Sequence, residues 1–249
     1  MIDIHSHILP CVDDGAESLD VALSMLAASA LDGVKTQVLT PHMHRGRYDN
    51  KIDDLRESFK NFSIALERSG IDIELKLAAE VHISPDIPLL SKSDELLWMG
   101  HWDNAKVFLL EFPFNQLPHG SLNLINWLAK NNIKPVLAHP ERYQYFQSAP
   151  EKLASYLAAG CLVQITTSSL TGQFGESAYC AAEYFLKSGW VHFLASDCHN
   201  VNKRAPGLSE AVNIAAQLIG DHAANKLVQD NPAKLLLTDD SLNKMSQHI

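Results

Sequence analysis

The sequence predicts an α/β fold, a distorted (β/α)7 TIM-like barrel in which parallel strands close, or nearly close, around a packed interior. Short apolar runs of strand length recur seven times, at 2–4, 36–39, 73–79, 107–110, 134–138, 161–165 and 190–195, separated by segments of helical periodicity. Gly33, Gly70, Gly160 and Gly189 each supply a left-handed stop between a helix and the strand after it, and Asn131-Asn132 takes that part once. The runs are apolar on both faces, as parallel strands covered by helices outside and packed within must be, and such alternation implies right-handed crossovers.

The elements follow in chain order. Strand 2–4 opens the chain, and the first helix carries Leu19, Ala22, Leu23, Leu26, Ala27 and Ala30 on one stripe before Gly33 ends it. Strand 36–39 follows at once and runs into Thr40-Pro41-His42, then the polar stretch from His44 to Asp49. The remaining strands alternate with helices to residue 195. The tail from 208 to about 237 reads as two more helices, with Gly220 ending one and Asp230-Asn231-Pro232 starting the last. No linker, repeat or low-complexity tract interrupts 1–249, so one domain is expected.

Composition narrows the function classes. A chain of 249 residues with 46% hydrophobic and 20% charged residues suits a globular enzyme. Its formal charge of −9 argues against a nucleic-acid partner or an anionic membrane, although bound cations would cancel several carboxylates locally. No apolar run reaches the length of a membrane span, and a strand at Ile2 leaves no room for a secretory leader, so a cytoplasmic protein without membrane insertion is expected. Cys11, Cys161, Cys180 and Cys198 lack paired spacing and read as reduced thiols.

The chemistry sits at the carboxyl ends of the strands. His5 and His7 are one strand repeat apart and share a face, so both imidazoles can grip one ion. His42 follows the second strand, Glu80 the third, Glu111 the fourth and His139 the fifth, and Asp197 and His199 follow the seventh. Asp14 joins from the first loop. Any one of these residues is more often a satisfied or surface side chain than a ligand, but six strands agree. Five histidines and four carboxylates are too many for one tetrahedral ion and suit two or three divalent ions, with manganese, iron or catalytic zinc matching nitrogen and oxygen donors without sulfur. Glu80, near the middle of the array, is the candidate bridging ligand.

Water held between two divalent ions loses a proton near neutral pH, and the same ions neutralise phosphoryl oxygens, so phosphoester hydrolysis by in-line attack follows. Arg142, in His139-Pro140-Glu141-Arg142-Tyr143, places a planar guanidinium one turn from a ligand and is the candidate transition-state stabiliser. Arg204 is a second candidate phosphate clamp, with a solvated loop charge as the alternative. His199 is one candidate proton donor and metal-coordinated water another. Asp3 shares a face with His5 and is a candidate to orient an imidazole, with a cap at the barrel bottom as the alternative. His44 is left between lining the entrance and facing solvent. His82, His101 and His119 read as loop residues, His192 as a satisfied core residue, and His222 and His248 as remote.

The segments Ile2 to Pro10, Thr40-Pro41-His42, Leu137 to Tyr143 and Ser196-Asp197-Cys198-His199-Asn200 resemble the polymerase and histidinol phosphatase (PHP) superfamily, specifically its bacterial branch of capsule- and exopolysaccharide-linked tyrosine phosphatases. The resemblance spans nearly the whole chain and implies a distorted seven-stranded barrel with three metals. It implies one ion on His5, His7, Glu80 and Asp197, a second on Glu80, Glu111 and His139, and a third on Asp14, His42 and His199. It further implies manganese, and phosphotyrosine on the tyrosine-rich tail of an autokinase that controls polysaccharide export. Cys11 stands where the branch commonly has glycine, and Met43 separates His42 from His44 where many relatives have adjacent histidines.

Four rivals remain. Cys198 and Arg204 form Cys-x5-Arg, the spacing of thiol phosphatases, but residues 199–203 contain no glycine to curl round a phosphate, and Asp197 beside the thiol opposes ionisation. Barrel amidohydrolases usually bridge their ions with a lysine at strand four, where this chain has Glu111. A small-molecule phosphatase of histidinol-phosphate type shares the metal chemistry, whereas a decayed binding module would not be expected to retain all nine ligands and Arg142.

Overall fold

A computed structural model describes residues 1–237. Its strands are β1 (Ile2–Asp3), β2 (Thr36–Leu39), β3 (His42–Met43), β4 (Glu74–Leu77), β5 (Glu80–His82), β6 (Gly100–Trp102), β7 (Ala105–Glu111), β8 (Ile133–Ala138), β9 (Leu162–Thr166) and β10 (Phe193–Ala195). One sheet has the order β1-β2-β4 and the other β10-β9-β8-β7-β5-β3, all parallel, while β6 pairs antiparallel with β7.

The two sheets continue one another. β2 and β3 are one stretch of chain broken at Thr40-Pro41, where proline has no N–H to give the ladder, and β4 and β5 are one stretch broken at Ala78-Ala79. The register survives both breaks, since Thr36 pairs Glu74 and His42 pairs Glu80 with the same offset. Beyond β1 the chain runs along the end of β10: the Asp197 N–H donates to His5 O and the His7 N–H to Cys198 O, each at 2.9 Å. On the other flank the Thr40 N–H donates to Ser6 O at 2.8 Å. The seven expected strand units thus join into a ring.

The helices are α1 (Leu19–Leu31), α2 (Ile52–Ser69), α3 (Ile87–Lys92), α4 (Ser121–Lys130), α5 (Gln144–Ser148), α6 (Leu153–Ala158), α7 (Thr167–Leu170), α8 (Glu176–Lys187), α9 (Ser209–Ile219), α10 (Asp221–Lys226) and α11 (Asp230–Leu235). Alternation along the strands divides the core. Val107, Leu109, Val136, Ala138, Phe193 and Ala195 pack with Ile4 and Val38 inside the ring, while Phe108, Leu110 and Leu137 join the outer core with the helices. Met99 and Leu235 belong to the inner cluster and fill its lower end, opposite the carboxyl ends of the strands.

Several expectations shift. α1 buries Ala22, Met25, Leu26 and Ser29, leaving Leu19 and Ala27 exposed, because the Ser29 hydroxyl donates to the Gln37 side chain at 2.6 Å and a polar residue can face inward. The last strand starts at Phe193 because the Trp190 N–H still closes the turn after α8, donating to Phe185 O at 3.1 Å. The tail holds α9, α10 and α11 where two helices were expected. Residues 238–249 of the expected domain, with His248, lie outside the described residues. No helix among the described residues is long and apolar enough to cross a membrane.

Candidate metal centre

The ring brings all nine candidate ligands to its carboxyl end. His42 and Glu80 open β3 and β5, Glu111 closes β7, and His139 directly follows β8. Glu111 extends the inward alternation of Val107 and Leu109, and Asp197 extends that of Phe193 and Ala195. His139 and Asp197 both hold left-handed backbone, at φ 34° and 51°, turning the chain sharply at the strand ends. All nine are buried except Asp14, whose side chain is 38% exposed.

Their donor atoms fall into overlapping groups. The Nε2 atoms of His5 and His7 are 3.2 Å apart, and each lies 3.2–3.4 Å from Glu80 Oε2 and Asp197 Oδ1. Glu80 Oε2 is also 3.2 Å from His42 Nδ1, which lies 3.9 Å from Glu111 Oε2. Glu80 Oε1 meets His139 Nε2 at 2.9 Å. Asp14 Oδ1 lies 3.4 Å from His42 Nε2 and 3.5 Å from His199 Nε2. Glu80 is therefore the hub. His42, rather than His139, is the imidazole grouped with Glu80 and Glu111, and His7 joins the group of Asp14, His42 and His199.

The donor set fits divalent cations. Asp197 Oδ1 and His42 Nδ1 are buried without a hydrogen-bond partner and face this cluster, an arrangement that polar atoms avoid unless something else is to be held. Burial pushes the Glu80 and Asp197 carboxyls up, but His5 beside both, with His42 and His139 beside Glu80 and the two arginines beside Asp197, holds them well below the usual range. Burial and nearby His7 push the His199 imidazole down to about 4, which leaves it a neutral lone-pair donor at neutral pH.

A supporting shell fixes the rings. Asp13 Oδ2 lies 2.7 Å from His7 Nδ1 and accepts from the His42 N–H at 3.0 Å, while Gln164 Oε1 lies 2.9 Å from His5 Nδ1. Asp3 touches no imidazole: its carboxylate accepts from the His5 and Ser196 N–H groups and the Ser196 hydroxyl, tying the first strand to the last. Glu141, wholly buried, accepts from the Thr166 N–H at 2.9 Å and the Ser169 hydroxyl at 2.7 Å and anchors the turn that carries Arg142.

Both arginines reach the cluster. Arg142 Nη1 and Arg204 Nη2 meet Asp197 Oδ2 at 2.5 and 2.6 Å. The Arg142 guanidinium lies between Phe114 and Phe174, 4.8 and 4.4 Å from their ring centroids, and the sequence had given neither phenylalanine a part. Arg142, Arg204, Asp197 and Phe114 line a cleft of about 340 Å³. His44 and His82 line it too, and His82 lies in β5, not in a loop. His101 likewise lies in a strand, β6. His192 accepts from the Val163 N–H at 3.2 Å just before β10. Cys198 is wholly buried, and burial pushes its thiol far up, the opposite of a nucleophile's need.

A sequence model of the family described as capsular polysaccharide synthesis, CpsB/CapC, matches residues 1–237. The tyrosine-protein phosphatase YwqE of Bacillus subtilis is 31% identical over 242 residues, covering 97% of this chain and 93% of its own. The tyrosine-protein phosphatase CpsB of Streptococcus agalactiae is 32% identical over 244 residues, covering 95% and 98%. A crystal structure from work on YwqE and Streptococcus pneumoniae CpsB, described as unique metal-dependent tyrosine phosphatases, superposes with a TM-score of 0.88 at 30% identity, covering 95% of this chain and 94% of the other. The phosphotriesterase homology protein of Escherichia coli shares the fold alone, at 9% identity and a TM-score of 0.62.

Proposed function

The chain belongs to the CpsB/CapC family of capsular polysaccharide synthesis, and from that membership we propose that it is a metal-dependent phosphatase acting on protein phosphotyrosine. The observation that carries this reading is the meeting of nine imidazole and carboxylate donors at the floor of a cleft whose rim bears two arginines.

His5, His7, Glu80 and Asp197 would hold one cation, Glu80 and Glu111 with His42 or His139 a second, and Asp14, His42 and His199 a third, with manganese the working metal. When bound, such ions polarise a phosphoryl group and acidify water. The residues supply the rest. Arg142, its plane held by Phe114 and Phe174, offers paired N–H donors to the non-bridging oxygens of the transferring group, and Arg204 offers a second clamp. With a lowered basicity, His199 is better suited to ligation than to proton donation, and a tyrosine leaving group needs less acid help than an alkyl alcohol. Among the described residues no lysine lines the cleft, which disfavours the amidohydrolase reading.

The protein substrate we infer is the tyrosine-rich tail of a cytoplasmic autokinase that controls polysaccharide export, met by a single cytoplasmic phosphatase domain. The test combines elemental analysis with turnover of a phosphotyrosine peptide and of histidinol phosphate, before and after chelation. Peptide turnover that is lost on chelation and restored by manganese is expected. Turnover indifferent to chelation, or a clear preference for histidinol phosphate, would sink the reading.

A further inference from the structure

Two histidines of the cleft lie outside the nine-residue array. His44 directly follows β3 and His82 closes β5, and their rings stack with centroids 3.9 Å apart and planes 1° apart. His82 Nδ1 lies 3.1 Å from Glu111 Oε2. One nitrogen from each ring and an oxygen of Glu111 all fall within 4.8 Å of one another. The backbone under His44 is fixed: its N–H donates to Tyr48 O at 3.0 Å and its carbonyl accepts from the Tyr48 N–H at 2.7 Å. No side chain among the described residues hydrogen-bonds the His44 ring, so both its nitrogens are available.

We propose that His44, His82 and Glu111 form a further cation site at the rim of the cleft, selective for a borderline transition ion such as zinc. Two imidazoles and one carboxylate, with a fourth position open to the cleft, are a donor set that zinc accepts readily. Manganese and magnesium, which favour oxygen-rich sets and bind more weakly to imidazole, fit this site less well than the carboxylate-rich array behind it. The His44–Tyr48 turn holds the His44 backbone in place, and the two stacked rings need to tilt out of parallel for their in-plane lone pairs to meet one ion.

The rim site shares a ligand with the array. Glu111 Oε2 faces His82 Nδ1 at 3.1 Å and His42 Nδ1 at 3.9 Å, so one oxygen serves both directions. An ion at the rim draws Glu111 away from Glu80 and His42 and stands in the path of the substrate. On the reading of the central array given above, zinc at the rim therefore lowers turnover by the manganese-loaded protein.

The test counts ions. Chelator-stripped wild type, H44A, H82A and the milder H82N are equilibrated with buffered micromolar zinc, and bound metal is measured by elemental analysis, with circular dichroism reporting the fold. Each variant is expected to hold one zinc equivalent fewer than wild type, and cobalt substitution to lose one component of its visible absorption. Equal zinc content in wild type and all folded variants would overturn the rim site while leaving the central array standing. A wild type that takes up no zinc would overturn both. In a second arm, zinc added to manganese-loaded protein should inhibit wild type several-fold more strongly than H44A, and equal inhibition would remove the coupling through Glu111.

Discussion

Arg142 shows how much of a functional group's value lies in its mounting. Its guanidinium is held between two aromatic faces, reaches Asp197 at 2.5 Å, and stands on a turn anchored by the buried Glu141 carboxylate. Lysine in its place would keep the charge but lose the planar fork and the stacking. We expect Arg142→Lys to lower kcat on a phosphotyrosine peptide by about 10²–10³-fold, the cost of removing one preorganised transition-state donor. Metal content by elemental analysis should stay unchanged, and a variant with wild-type kcat would remove Arg142 from the reaction. Arg142 and eight of the nine candidate ligands were legible because they stand at or just past strand ends in the sequence, and Asp14 because it lies in the acidic turn of the first loop. The supporting partners were not. Asp13 and Asp14 are neighbours of identical chemistry, and only the fold shows Asp14 facing His42 and His199 while Asp13 turns back to His7 Nδ1. Gln164 lies inside an apolar run and meets His5 across 159 residues of sequence.

At the scale of elements, the strand runs were readable from their apolar content, and their continuations were not. The second and third strands each resume after a break, because Pro41 cannot donate to the ladder and the chain bends at Ala78-Ala79, so His42 and Glu80 begin short strands of their own. Periodicity also missed β6, whose three residues pair antiparallel with β7 beneath the ring. That hairpin seats α11. Gly100 has φ 154°, and a Cβ there would stand 2.0 Å from Leu235 O, while Lys234 lies 2.7 Å from Asp103 and 4.1 Å from the centroid of the Trp102 ring. Gly100→Ala must push the last helix off the floor of the inner core, and we expect a loss of about 1–3 kcal/mol, typical of forced overpacking. Denaturant midpoints would read the loss. Because the cleft is at the other end of the ring, the metal content of the folded variant should match wild type, and a large fall in it would contradict this separation of floor from site.

For the whole molecule, folding and metal loading are linked through protons. Glu80, Asp197 and Asp14 have carboxyls held below their ordinary values, so their stabilisation is full above the unfolded value near 4 and fades as pH falls through their lower folded values. His199 and His192 are pushed down to about 4, so between roughly 6.5 and 4 the unfolded chain binds the extra protons and stability falls with pH. His5 and His7 act in the opposite sense. Burial disfavours their charge, but Glu80 and Asp197 beside His5 and Asp13 beside His7 raise both above 6.5, so their contribution is full below that value and is lost as pH rises through the folded values. Cations at the array need those two imidazoles neutral, so loading must displace protons and weaken in acid. Saturating manganese, at about 100 times its dissociation constant, should stabilise the folded chain by about 2.7 kcal/mol. The gap in Tm between manganese-loaded and chelated protein should then narrow steadily as pH is lowered from about 7.5 to about 5.5, read by scanning calorimetry at fixed manganese. A gap that stayed constant across that range would mean that the ions bind somewhere other than the buried imidazoles of the ring.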